Sequence, residues 1–185
     1  STPPVRLQNI ENEGNILLNG GSTEKTSVGI YSYIDKTAIL AKVKQNIKNS
    51  GTITVGTQKS AGIFVKDDSA NRPSGNNTIV ASVLNIGNIN VTQEDSAAII
   101  GEYTNITNGE PSSKAGEIKL SALRTAGIIA SNKSVVTNYG EIKLDTASVT
   151  SSSDALVGIS VDNSSVINKD TNAAGGIGTI TVHTA

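Results

Sequence analysis

Gly51-Thr52-Ile53-Thr54-Val55 decides the fold of this chain, because five further stretches read the same way. They are Gly14-Asn15-Ile16-Leu17-Leu18, Gly87-Asn88-Ile89-Asn90-Val91, Gly116-Glu117-Ile118-Lys119-Leu120, Gly140-Glu141-Ile142-Lys143-Leu144 and Gly178-Thr179-Ile180-Thr181-Val182. In each copy two aliphatic residues flank one spacer, and the variable positions are mostly polar. That two-residue period is the signature of a strand with one buried face.

A second pattern follows: Val28-Gly29-Ile30, Ala61-Gly62-Ile63, Ala97-Ala98-Ile99, Ala126-Gly127-Ile128 and Val157-Gly158-Ile159. Read at period 2 it buries a small residue, then Ile, then a third aliphatic such as Val65, Ala130 or Val161. In the three middle copies it lies 11 residues beyond the first Gly, and in the outer ones 15 and 18. A third pattern precedes the Gly: an aliphatic residue, a spacer and Asn. It occurs at Ile10/Asn12, Ile47/Asn49, Val83/Asn85, Ile106/Asn108, Val136/Asn138 and Val166/Asn168. Asn and Gly both tolerate left-handed backbone, which suits a sharp corner. Stacked Asn amides can also form a hydrogen-bonded ladder.

Three strands per repeat make one coil. The shortest Gly-to-Gly spacing is 24 residues and the others are 37, 36, 29 and 38, as expected of one unit with variable loops. Coils stacked at about 4.8 Å pair each strand in parallel with its equivalents above and below. The expected fold is therefore all-β: a single-stranded parallel β-helix with three strands per coil and about six coils, spanning 1–185 as one segment. Its length would be on the order of 25–30 Å. Leucine-rich repeats would need a different period, and a β-sandwich would not repeat one strand six times. Lys36 to Gln45 could form a short helix. The chain opens and closes inside the repeat, which reads as a piece of a longer rod.

Composition fits a thin aliphatic core. Of 185 residues 18 are Gly, 4 are Tyr and 1 is Phe, with no Cys, Met or Trp. Lys and Arg number 15 against 16 acids, so no basic face for nucleic acid is expected. The absence of Cys excludes disulfides and thiolate metal sites. A single His excludes a multi-histidine centre. No apolar run approaches the roughly 20 residues of a membrane-spanning helix.

Few residues suggest chemistry. His183 sits near the chain end without an evident carboxylate partner, so a Ser-His-Asp triad is not expected. Glu117 and Glu141 fall at equivalent outward positions about 5 Å apart, the separation of a retaining glycosidase pair. Lys119 and Lys143 share that face, which favours a solvated charge lattice. Asp67-Asp68 and Glu94-Asp95 lack the spacing of a calcium loop. Asn105-Ile106-Thr107 is one of several Asn-x-Ser/Thr triplets that composition alone produces. No catalytic, cofactor-binding or metal residue is expected, and binding residues are left open on the loops at 19–26, 66–78, 109–115, 146–154 and 169–176.

Asn49-Ser50-Gly51-Thr52-Ile53-Thr54-Val55 with Ser60-Ala61-Gly62-Ile63-Phe64-Val65 resembles the passenger repeats of bacterial autotransporter adhesins, especially the fusobacterial type. The resemblance covers nearly the whole chain through scaffold positions only. It implies a right-handed β-helical stalk, exported to the cell surface through an outer-membrane barrel, that displays loops to a receptor on host cells or other bacteria. It implies a monomer without cofactor, membrane insertion or enzymatic activity. The Asn-Pro-Asn-Gly-Ile element of two-partner haemagglutinins and the Phe-x-x-Asn motif of polymorphic outer-membrane proteins are absent. A polysaccharide-degrading β-helix and a phage or appendage shaft are the alternatives.

Overall fold

The computed structural model describes residues 6–21, 26–35, 43–68, 79–111, 113, 115–145, 154–169 and 178–183. Every regular element among them is a strand. The first coil comprises β1 (Arg6–Asn12), β2 (Asn15–Gly21) and β3 (Val28–Ile34). The second comprises β4 (Val43–Asn49), β5 (Thr52–Thr57) and β6 (Ala61–Asp67), and the third β7 (Ala81–Asn85), β8 (Asn88–Val91) and β9 (Ala97–Glu102). β10 (Thr104–Asn108), β11 (Glu117–Leu120) and β12 (Ala126–Ser131) form the fourth. β13 (Val135–Asn138), β14 (Glu141–Asp145) and β15 (Val157–Val161) form the fifth, and β16 (Ser165–Asn168) and β17 (Thr179–His183) belong to a sixth.

Equivalent strands stack in parallel into three sheets. Sheet A is β1-β4-β7-β10-β13-β16, sheet B is β2-β5-β8-β11-β14-β17 and sheet C is β3-β6-β9-β12-β15. The molecule is a parallel β-solenoid with three strands per coil. Six coils are not enclosed: all three sheets run together from β3 to β15, about four turns. The six motif copies count strands of one sheet, and six stacked layers bound fewer full turns. The proposed helix over Lys36–Gln45 is also corrected, since Val43 and Gln45 lie in β4. Residues 36–42 fall outside the described residues.

The interior is a set of aliphatic columns. Ile16, Ile53, Ile89, Ile118, Ile142 and Ile180 pair in register along sheet B. Ile47, Val83, Ile106 and Val136 do so along sheet A, and Ile63, Ile99 and Ile128 along sheet C. These central side chains are buried. Each fully buried Ile is worth about 1.5–3 kcal/mol of transfer free energy. With a second sheet B column, Leu18, Val55, Val91, Leu120 and Leu144, these columns fill the centre with aliphatics, so few aromatics are required.

The Asn ladder exists, but its corner has another cause. Asn12 donates to Asn49 at 2.8 Å, Asn49 to Asn85 at 2.7 Å, Asn85 to Asn108 at 2.7 Å, Asn108 to Asn138 at 2.8 Å and Asn138 to Asn168 at 2.9 Å. None of these Asn residues is left-handed, and of the six repeat glycines only Gly116 is, at φ 88°. Glycine is required there because backbone stacks on backbone. A Cβ on Gly51 would lie 2.0 Å from the Gly14 carbonyl oxygen, and one on Gly87 2.0 Å from that of Gly51.

Left-handed residues occupy the other two corners. Lys59, Asp95 and Arg124 turn the chain from sheet B to sheet C at φ 53°, 56° and 54°. Tyr103, Lys133 and Asn163 turn it from C to A at φ 53°, 63° and 47°. A hydroxyl residue follows each. Ser60 and Ser96 Oγ accept the backbone N–H of Ser27 and Ser60 at 3.0 and 3.1 Å, while Ser134 and Ser164 Oγ accept those of Thr104 and Ser134 at 2.9 and 3.0 Å.

Candidate functional site

The Ala-Gly-Ile pattern does not alternate as expected. A Cβ on Gly62 would meet Ile89 and Ile53 side chains at 3.2 and 3.3 Å, so this position faces the interior. Ile63 is interior as well, and the sheet C pairing skips the Gly position in every coil. Ala61, Ala97 and Ala126 are no more than 9% exposed themselves, yet they line a groove of about 610 Å³ on sheet C. Small residues there make a depression rather than a ridge.

Beside that floor runs an outward row in register: Tyr31, Phe64, Ile100, Ile129 and Ser160. Phe64, Ile100 and Ile129 line the groove. Tyr31 is 54% exposed, and its ring meets Phe64 edge-on with centroids 5.6 Å apart and planes at 67°. Such a pair is favourable for aromatic quadrupoles. Farther along β3, Tyr33 donates to Asp68 Oδ2 at 2.7 Å, and the carboxylate pushes its phenol up to about 12.

The groove's corner carries charge that is already matched. The Arg124 guanidinium donates to Glu94 Oε2 at 2.5 Å, Asp95 Oδ1 at 2.6 Å and Asp154 Oδ1 at 3.3 Å. Its hydrogen bond holds Asp95 below the usual carboxylate range. A guanidinium so engaged is a clasp between coils rather than an anion site. Glu94-Asp95 therefore serves this clasp. Asp67-Asp68 is divided, with Asp67 buried and Asp68 bonded to Tyr33.

Glu117 and Glu141 are neighbours in register, as are Lys119 and Lys143. Lys143 Nζ sits between the two carboxylates, 2.6 Å from Glu117 Oε2 and 3.2 Å from Glu141 Oε2. Its pKa is raised, first by the hydrogen bond to Glu117. Neither glutamate lines the sheet C groove. The pair is thus bridged by a cation on the outer face of sheet B, apart from the groove on sheet C.

His183 ends β17, where its backbone pairs with Asp145. Asn105 lies on the exposed face of β10. Among the described residues no group of three or more His, Cys, Asp or Glu could hold a metal ion. Of the loops at 19–26, 66–78, 146–154 and 169–176, most residues lie outside the described ones. Tyr103, which drew no attention in the sequence, is buried at a left-handed corner, where desolvation pushes its phenol up. Comparison with protein-family models, curated proteins and solved structures gives no match.

The outward row was missed, although it left a sequence signal. Position x of Ala-Gly-Ile-x-Val should be polar on a solvated face, yet it is Tyr31, Phe64, Ile100 and Ile129 in four consecutive coils.

Proposed function

We propose that this chain is a non-enzymatic segment of a surface-displayed β-helical adhesin, and that the outer face of sheet C makes the adhesive contact. The observation that carries the reading is the row Tyr31, Phe64, Ile100 and Ile129, four apolar side chains aligned on the solvent side. Apart from Leu17, sheet B turns Thr, Asn, Lys and Glu to the same solvent. A contiguous apolar strip beside a groove is a liability on a free rod and an asset in an interface.

The winding is right-handed, as crossovers between parallel strands of one sheet almost always are. The rod is one chain thick and is exported to the bacterial surface, in keeping with the passenger resemblance. Its partner is a protein or glycan receptor on a host cell or another bacterium. The bridged Glu117 and Glu141 give the glycan-cleaving alternative no support.

Binding of the purified chain to target cells tests this. Phe64→Ser with Ile129→Ser should lower binding by about tenfold or more, as loss of interface anchors does, with the thermal midpoint little changed. Glu117→Gln should bind like the parent. Full binding by the Phe64/Ile129 double variant would move the contact off this face.

A further inference from the structure

The floor of the sheet C groove is one column in register: Val28, Ala61, Ala97, Ala126 and Val157. Five strands stacked at about 4.8 Å make it about 19 Å long, running across the strands. Phe64 and Ile129 stand three residues beyond Ala61 and Ala126, about 10 Å away between Cα atoms. Their side chains take up part of that width, so one extended hydrocarbon chain fits on the floor. A helix, about 10–12 Å across, does not.

The hydrogen-bonding groups beside this floor are engaged within the fold. The N–H groups of Ala61, Ala97, Ala126 and Val157 donate to the carbonyls of Ser27, Ser60, Ser96 and Thr125 at 2.9–3.0 Å. Ser60 Oγ donates to the Gln58 carbonyl at 2.9 Å, Ser96 Oγ to those of Thr57 and Glu94 at 3.0 Å, and Thr125 Oγ1 to that of Ala122 at 2.8 Å. A sugar or a peptide backbone laid here would give up water for partners already spent, which is costly for every polar group so covered. A methylene chain has no hydrogen bond to lose. The rim is close to neutral: Lys59 and Arg124 against Glu94, Asp95 and Asp154 leave one negative charge, and Arg124 binds all three acids. Such a rim draws no acidic head group and accepts an uncharged or zwitterionic one.

We propose that the groove floored by Ala61, Ala97 and Ala126 is a binding site for the acyl chain of a single-chain lipid with an uncharged or zwitterionic head. In a zigzag of bonds of about 1.5 Å, each carbon advances about 1.25 Å, so the floor holds about 15 carbons. Phe64, Ile100 and Ile129 supply the apolar side wall, and the head group leaves at an end of the groove, where Thr26 and Ser160 lie. The site shares its wall with the row assigned to the receptor contact but goes beyond that reading and does not depend on it.

Isothermal titration of the purified chain with lysophosphatidylcholines of increasing acyl length, each below its micelle concentration, tests this. Binding should be one to one and should tighten about twofold per added carbon, as for a methylene half buried. The gain should stop near about 15 carbons, where the floor ends. Glycerophosphocholine, the head group alone, should not bind. Ala97→Val with Ala126→Val raises the floor, and Val28 and Val157 show that this column accepts valine. The double variant should lose about tenfold or more in affinity through crowding of the floor. Ile100→Ser, on the half-exposed wall, leaves the floor intact and should cost about fivefold. No saturable binding, affinity indifferent to chain length, or full affinity in both variants overturns the proposal. Binding to phosphatidylcholine vesicles without binding of the monomeric probe would make this face a membrane contact and equally overturn it. The receptor contact is read separately, on cells, with Phe64→Ser and Ile129→Ser, and stands or falls apart from these titrations.

Discussion

At the scale of the residue, this solenoid is governed by what a coil leaves no room for and what it must satisfy. Gly51 is fixed by a carbonyl oxygen that would lie 2.0 Å from any Cβ, and the offending atom is backbone, which cannot swing away. Gly51→Ala should therefore cost about 3 kcal/mol or more in urea unfolding, at the upper end of overpacking penalties. Gly14→Ala, whose Cβ meets nothing within 4 Å among the described residues, should cost close to nothing. Asn85 illustrates the second constraint. Fully buried, it accepts from Asn49 and donates to Asn108, both at 2.7 Å. Asn85→Ala strands a donor and an acceptor in a dry interior, so a loss of about 2–4 kcal/mol is expected from two unsatisfied groups. Asn12→Ala, at the exposed end of the same row, should lose less than half as much.

At the scale of the element, strands were easier to read than corners. Sheet B was legible because Ile and Val or Leu alternate with polar residues, so burial has one solution. Sheet C was not. Ala61 and Gly62 are both small enough to face either way, and only the packing of Gly62 against Ile53 and Ile89 settles that Ala61 floors the groove. The left-handed corners were illegible for a related reason: Lys59, Asp95, Arg124 and Tyr103 share no residue type that announces positive φ. They hold that backbone, at about 1–2 kcal/mol apiece, because the hydroxyl column beside them is satisfied coil to coil. The Arg124 clasp adds a pH dependence to one corner. Asp95 titrates lower in the folded chain than in the unfolded one, so its contribution is complete above about pH 4 and fades as pH falls through the lowered folded value. Asp95→Asn should flatten the acid limb of a stability–pH curve while leaving its neutral plateau only slightly lower, as expected for a half-exposed ion pair.

At the scale of the whole molecule, each coil touches only its neighbours, so stability accumulates from nearest-neighbour interfaces. An interior coil has two such interfaces and a terminal coil has one. The side chains record the difference: Ile106 and Ile118 are at 0% exposure, while Val166 and Ile180, in the same columns, are at 40% and 42%. Opening β16 and β17 exposes little that is not already wet, whereas opening β10 and β11 uncovers columns on both sides and breaks the Asn ladder in the middle. Local opening free energy should therefore fall from the centre toward either end. Amide hydrogen exchange should resolve this as a gradient, with protection in β7 to β12 exceeding that in β16 and β17 by about a hundredfold or more, a gap of roughly 3 kcal/mol. Ile106→Ala, which empties a sealed column, should lower protection across coils three to five and cost about 3–4 kcal/mol, while Val166→Ala should stay near 1 kcal/mol and act only at the end. Uniform protection along the rod would mean that the coils open as one body, and the end-weighted picture of exposed columns would then have no energetic consequence.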